Sequence, residues 1–332
     1  MKNTNSTVMS AAILGVGTEI TSGQIINSNA RWISEQLKLL GVETLYHVAV
    51  PDNRKVILDA LLQLQTCSIL FVTGGLGPTT DDFTRDVVAE WAQKKMFFDL
   101  ASFARIEERL KSRNVPVRDA QKQQCYFPEG SKILFNKNGT ANGFYFENSA
   151  TNTKVFVLPG PPKEIAGIWE DHIQTMLKEF CKGIDPVITK SWDCLGLGES
   201  EISHITETAL EGCTFEKGYR VHVPYVEVKL TYNKSQESEG EKWSTRLENV
   251  LAPHTVARNG EDLAQKTFKK LDSYKKICFC DNYLQSIIHA RFEKFGKHLL
   301  AKNNVVFVFD KKDIPKDCDA VITIENKRKH AV

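Results

Sequence analysis

Thr73-Gly-Gly-Leu-Gly-Pro-Thr-Thr-Asp-Asp-Phe-Thr-Arg85 joins an apolar run, 69–73, to a stretch carrying Val87, Val88 and Trp91 at helical spacing. A strand, a glycine loop and a helix in that order form the junction at which an open parallel sheet builds its ligand sites, beside the carboxyl ends of the strands. Gly74, Gly75 and Gly77 leave the backbone N–H groups accessible, and the start of the next helix favours negative charge, so a phosphate group suits the loop. The loop is not a Walker A motif, because no Gly-Lys-Ser/Thr follows. Nor is Gly15-Val-Gly17 a dinucleotide fingerprint, since Ile20 takes the third glycine's place. Asp81 and Asp82 sharpen the reading: two carboxylates beside a phosphate repel it unless a hard divalent cation bridges them. The same pair also suits the first turn of a helix, where cap and dipole contribute ~0.3–1 kcal/mol each.

Outward from this loop, apolar runs at 12–16, 43–50, 69–73 and 154–158 alternate with amphipathic stretches at 29–40, 54–64, 81–94 and 102–112. That alternation predicts an α/β domain with a largely parallel sheet covered by helices. Further polar clusters follow strand ends: Gly17-Thr-Glu-Ile-Thr-Ser-Gly-Gln-Ile-Ile-Asn-Ser-Asn29 after the first, and Val50-Pro-Asp-Asn53 after the second. Glu19, Asn27, Asn29 and Asp52 are therefore placed to converge on the glycine loop, although Ser28 or Asn29 also suits a helix cap and Pro51-Asp-Asn53 a turn. A helix over 162–180 ends in Gly/Pro punctuation near 181–186, which sets the first boundary. Beyond it, a strand at 187–194, a helix opened by Gly198, strands within 219–232 and a helix near 240–251 form a small α+β module, with 233–240 read as a solvated turn. The last ~70 residues are too few for a large core of their own.

The 332 residues carry 43 Lys+Arg against 41 Asp+Glu, and 42% are hydrophobic. A net charge of +2 excludes an overall electrostatic footprint for nucleic acid, and no apolar run reaches the ~20 residues of a membrane span. The polar start, without a signal-peptide core, points to a cytoplasmic protein. The eight scattered cysteines read as free thiols, and Cys278-Phe-Cys280 as alternate positions of a strand rather than metal ligands. The basic end, 326–330, reads as a solvated tail.

Five motifs in order, Gly17-Thr-Glu, Gly23-Gln-Ile-x-Asn-x-Asn29, Gly74-Gly-Leu-Gly-Pro-Thr-x-Asp-Asp-x-Thr84, Asn136-x-x-Gly-Thr-Ala-x-Gly-Phe144 and Leu158-Pro-Gly-Pro-Pro162, resemble the CinA family over roughly residues 10–258. The resemblance implies a MoaB/MogA-like, molybdopterin-binding α/β fold with a three-layer parallel or mixed sheet over 1–182. It also implies a KH-like module over 186–258, marked by Gly196-Leu-Gly-Glu-Ser200, and a degenerate remnant of a deamidase domain over 262–332. It implies metal- and potassium-dependent hydrolysis of ADP-ribose to AMP and ribose 5-phosphate, or of a related dinucleotide such as FAD. Catalysis then falls to Asp81, Asp82 and Asp52. Asp81 and Asp82 hold Mg²⁺, Mn²⁺ or Co²⁺, and Gly74, Gly75, Gly77, Thr79, Thr18, Glu19, Asn27, Asn29, Gly139, Thr140, Pro159 and Gly160 bind substrate or phosphate. Asp81 stands where molybdopterin-binding relatives usually carry a basic residue, which favours a hydrolase over a pterin carrier. The family also implies a homodimer.

Two departures stand out. Asn142 replaces a proline usual in the family, leaving that loop's backbone less restricted. In the last segment, the deamidase motif Glu-Ser-Cys-Thr-Gly-Gly is answered by Asp281-Asn-Tyr-Leu-Gln-Ser286, with Asn282 at the nucleophile's position, so no deamidase activity is expected. The alternatives to hydrolysis are a module that holds molybdopterin or its adenylate, and a non-catalytic scaffold.

Overall fold

Residues 9–271, 273–281, 305–308 and 310–324 are described in the computed structural model. The amino terminus, Asn282 to Ser286 and the basic end lie outside them, and with them the expectations made there. The chain divides into two compact units, residues 1–188 with 233–235, and residues 189–232 with 236–332.

In the first unit, β1 (Ser10–Val16), α1 (Thr18–Thr21), α2 (Ser28–Leu39), β2 (Glu43–Val50), α3 (Arg54–Leu64), β3 (Ile69–Thr73) and α4 (Thr84–Trp91) follow one another. Then come β4 (Met96–Phe98), α5 (Leu100–Lys111), β5 (Tyr126–Pro128), β6 (Lys132–Leu134), β7 (Gly143–Asn148), β8 (Thr153–Leu158), α6 (Pro162–Ile168) and α7 (Gln174–Phe180). The main sheet runs β2-β1-β3-β8-β7-β6, with β1, β2, β3 and β8 parallel and β7 and β6 added antiparallel, so it is mixed. All five residues of β3 are buried, as a strand covered on both faces requires. Alternation divides them. Leu70 and Val72 pack under α3 and α4 with Leu61, Val87 and Val88, whereas Ile69 and Phe71 pack under α2 and α6 with Ile33, Leu37 and Ile165. Phe71 stacks on Phe156 of β8 at 4.9 Å, fastening the two central strands whose ends carry the loops of interest.

Two elements differ from the sequence expectation. The helix expected over 81–94 starts only at Thr84, with Phe83 at its N-cap, so Asp81 and Asp82 lie in the preceding turn rather than in its first turn. The cause is local: the Asp82 carboxylate turns back to accept from the Thr79 N–H (2.9 Å) and hydroxyl, which commits it to the loop. The helix expected over 162–180 passes through a π turn at Trp169–Ile173 between α6 and α7.

The second unit carries β9 (Val187–Cys194), α8 (Glu199–Ala209), β10 (Glu216–His222), β11 (Tyr225–Asn233), α9 (Glu237–Leu251) and β12 (Thr255–Arg258). Its sheet runs β10-β11-β9-β12, with β10 and β11 an antiparallel hairpin. The stretch 233–240 is mostly exposed, as expected, but only its first part is a turn. A 3₁₀ turn at Lys234–Gln236 leads straight into α9, whose first turn carries Glu237 and Glu239 where the helix dipole favours them. Gly240 lies against the Tyr232 ring, where any side chain would collide. Beyond α10 (Leu263–Leu271), β13 (Ile277–Asp281), β14 (Val305–Val308) and β15 (Ala320–Ile324) form a parallel three-stranded sheet. Cys278 and Cys280 are buried strand residues there, and all eight cysteines are free.

Candidate active site

The carboxyl ends of β1, β2, β3 and β8 open into one cleft of about 340 Å³. It is lined by Gly17, Glu19, Asp52, the loop Gly74 to Pro78, Asp81, Asp82, Gln124, Thr140, Ala141, the turn Pro159 to Pro161 and Glu164. Ten of the expected residues therefore meet here: Glu19, Asp52, Gly74, Gly75, Gly77, Asp81, Asp82, Thr140, Pro159 and Gly160. Of the others, Thr18, Asn29 and Thr79 hold Asp52, Gly160 and Asp82 in place, while Asn27 and Gly139 do not line the cleft. Thr18 donates to Asp52 Oδ2 through its backbone N–H (2.8 Å) and hydroxyl (2.9 Å). Asn27 is the N-cap of α2, its Oδ1 accepting from Ala30 N–H (3.1 Å), and Asn29 donates its amide to the Gly160 carbonyl. Gly139 has no side chain because Glu164 lies against it.

The glycine loop lines the cleft with backbone amides left unpaired. Gly74 lines it, but its own N–H donates to the Leu158 carbonyl (3.0 Å), continuing the pairing of β3 with β8. Among the described residues no acceptor takes the N–H of Gly75, Leu76 or Gly77. The loop is anchored from behind, where the Leu76 carbonyl accepts from Arg85 Nη2 and from Gln124 Nε2 (3.2 Å). Gln123 Nε2 binds the carbonyls of Thr79 (2.9 Å) and Asp82 (2.8 Å). Arg85 is 1% exposed, and burial pulls its guanidinium down to about 10, opposed by the charges of Asp82 and Asp86. Among the described residues its Nε and Nη1 have no partner, nor has Gln124 Oε1.

Five carboxylates, Glu19, Asp52, Asp81, Asp82 and Glu164, line the cleft, and among the described residues no Lys, Arg or His does. Asp81 is fully exposed. Its carboxyl lies below the ordinary range because the Thr79 hydroxyl, which it shares with Asp82, and its own backbone N–H stabilise the charged form. Glu164 is shifted the other way: burial pushes its carboxyl up, against the Asn136 amide, 2.6 Å from Oε2, and the Arg109 charge. No group of three or more potential metal ligands occurs among the described residues. The donor set nonetheless suits a hard cation that takes one or two carboxylates and completes its shell from water and phosphate oxygens. Asp81 and one oxygen of Asp82 are available for this.

Residues 12–179 match the family model described as "Probable molybdopterin binding domain", about half of the chain. The chain belongs to the CinA family. It is 34% identical over 245 residues to a competence-damage inducible protein of Caldicellulosiruptor saccharolyticus, covering 73% of this chain and 59% of that one. It is 33% identical over 274 residues to the corresponding protein of Caldanaerobacter subterraneus subsp. tengcongensis, covering 79% and 64%. It thus spans about three-fifths of the length of these relatives. Among solved structures it is similar to CinA from Thermoplasma acidophilum, with 26% identity and a TM-score of 0.46 over 50% of this chain and 98% of that one.

Within this CinA-family chain, sequence reasoning passed over Glu164, Gln123, Gln124 and Arg85. Arg85 was legible, since Val88 and Ala89 lie three and four positions on and put it on the buried face of α4. Nothing in the short Gln123-Gln124 stretch announces its role. Asn142 also proves to restrain its loop rather than free it: its Oδ1 accepts from Asn136 N–H (2.9 Å), and its buried Nδ2 donates to Ser102 Oγ (2.9 Å).

Proposed function

We propose that the cleft hydrolyses a diphosphate anhydride with the help of a divalent cation, ADP-ribose to AMP and ribose 5-phosphate or a related dinucleotide such as FAD. The observation that supports this best is the pairing, among the described residues, of three free loop amides with five carboxylates and no basic side chain. Amides alone would hold an anion weakly among so many negative charges, whereas a bridged cation reconciles them. Mg²⁺, Mn²⁺ or Co²⁺ held by Asp81 and Asp82 would neutralise charge on the phosphate oxygens. The chain's own groups do the rest. The N–H groups of Gly75, Leu76 and Gly77 orient one phosphate, and Asp52, fixed by Thr18, limits its position. Glu164 accepts a proton from the attacking water as the bridging P–O bond breaks, a role suited by its raised affinity for protons.

The test is AMP release from ADP-ribose, FAD, NAD and NADH, with and without each cation and potassium, beside Asp82→Asn. Metal-dependent turnover lost in Asp82→Asn supports the proposal, and no turnover with any dinucleotide overturns it. The family model favours a second reading, retention of a pterin, which predicts a stoichiometric fluorescent pterin in the purified protein.

A further inference from the structure

Beside the acidic cleft lies a second cavity of about 400 Å³, between α5 and the loop 135–142, with the opposite charge character. Arg105, Arg109 and Lys137 line it, against the single carboxylate of Glu108. Lys137 is already paired with Asp171 at 2.9 Å. Neither guanidinium forms an ion pair among the described residues. Arg105 lies over the Phe135 ring, 4.6 Å from its centroid, which leaves the N–H edges of the group unspent. Arg109 donates to the carbonyls of Lys137 (2.9 Å) and Asn138 (2.6 Å), bonds that fix its position without neutralising it. The cavity and the cleft share a wall. Thr140 lines both, and Asn136, which lines the cavity, donates to Glu164 of the cleft.

We propose that this cavity is a second anion subsite, built for a phosphate monoester. Two guanidiniums without a carboxylate partner, Arg105 with its N–H edges unspent and Arg109 locked in place by two carbonyls, match a dianionic tetrahedral group better than a neutral sugar or base. The volume admits a phosphate together with the sugar that carries it. The adjoining cleft cannot serve the same group without a cation, so the two sites sort the charges of one ligand: a diphosphate in the acidic cleft, and a further phosphate on the distal half in the basic cavity. Only this source of the monoester, and not the subsite itself, rests on the hydrolase reading above. It makes a dinucleotide or nucleotide sugar bearing an extra phosphate the preferred substrate class.

The experiment is calorimetric titration of inorganic phosphate into the full chain in metal-free buffer, where the acidic cleft repels the probe. The unmodified chain is expected to bind one phosphate, and Arg105→Ala to weaken it at least tenfold with an unchanged melting temperature, because the exposed Arg105 holds no backbone group. Undetectable binding, or equal binding by Arg105→Ala, overturns the subsite. With a divalent cation present, kcat/KM is then compared for ADP-ribose and its 2′-phosphate. A preference for the 2′-phosphate that shrinks in Arg105→Ala supports a monoester carried by the substrate. Equal rates, with phosphate binding still lost in Arg105→Ala, support free phosphate as the occupant. If no dinucleotide is hydrolysed, the hydrolase reading fails, and the titration alone still decides the subsite.

Discussion

A methyl group added at Gly77 would press on the Asp82 carboxylate, which lies directly over that Cα. Gly77→Ala is therefore expected to push Asp82 out of its contact with Thr79 and to cost at least tenfold in metal-dependent AMP release, with the fold intact by circular dichroism. At Glu164 the sign of the pH effect follows from its burial. The carboxyl keeps its proton to a higher pH than an ordinary glutamate, so a reaction that needs it as base fails as pH falls through that raised value. The acid limb of kcat/KM should lie above the usual carboxylate range, and Glu164→Gln should abolish the limb and lower kcat by ~10²-fold or more. Asn142→Ala removes two buried hydrogen bonds and leaves Asn136 N–H and Ser102 Oγ without them. A loss of about 1–3 kcal/mol in urea unfolding is expected.

Among the elements, α4 shows how much was legible and why the rest was not. Its apolar spacing identified a helix, and the glycines before it identified a cleft, because both depend on residues close in sequence. Its start was misplaced, since a side chain reaching back three residues competes with the helix for Asp82, and propensity carries no record of that competition. The four parallel strands were found from their apolar runs, but β6 and β7 escaped: β6 is three residues long, and β7 mixes Phe144, Tyr145 and Phe146 with polar ends, so neither reads as a buried run. The anchoring of the loop by Gln123 and Gln124 depends on chain segments some 40 residues apart that only the fold brings together. Arg85 also yields a prediction for α4. Arg85→Met keeps the buried volume and removes two unpartnered nitrogens, so stability should stay within about 1.5 kcal/mol of the parent. Turnover should fall at least tenfold as the Leu76 carbonyl loses a donor. Thermal melts and AMP release on one preparation separate the two effects.

For the molecule as a whole, every residue of the candidate cleft and of the neighbouring basic cavity belongs to the first compact unit, which has its own core on both faces of one sheet. A chain ending after residue 188 should keep ADP-ribose turnover within about threefold of the full chain. A larger loss would show that the second unit takes part in the reaction. The fold of this unit was legible because a parallel sheet covered on both faces writes itself as apolar runs alternating with amphipathic ones. A loop whose carbonyl is tied down from behind while its amides stay free was ordered when the chain folded, so an arriving ligand meets a finished surface. Stopped-flow traces should show an observed rate that climbs in a straight line with ligand concentration, where a loop that had to form around its ligand would level off.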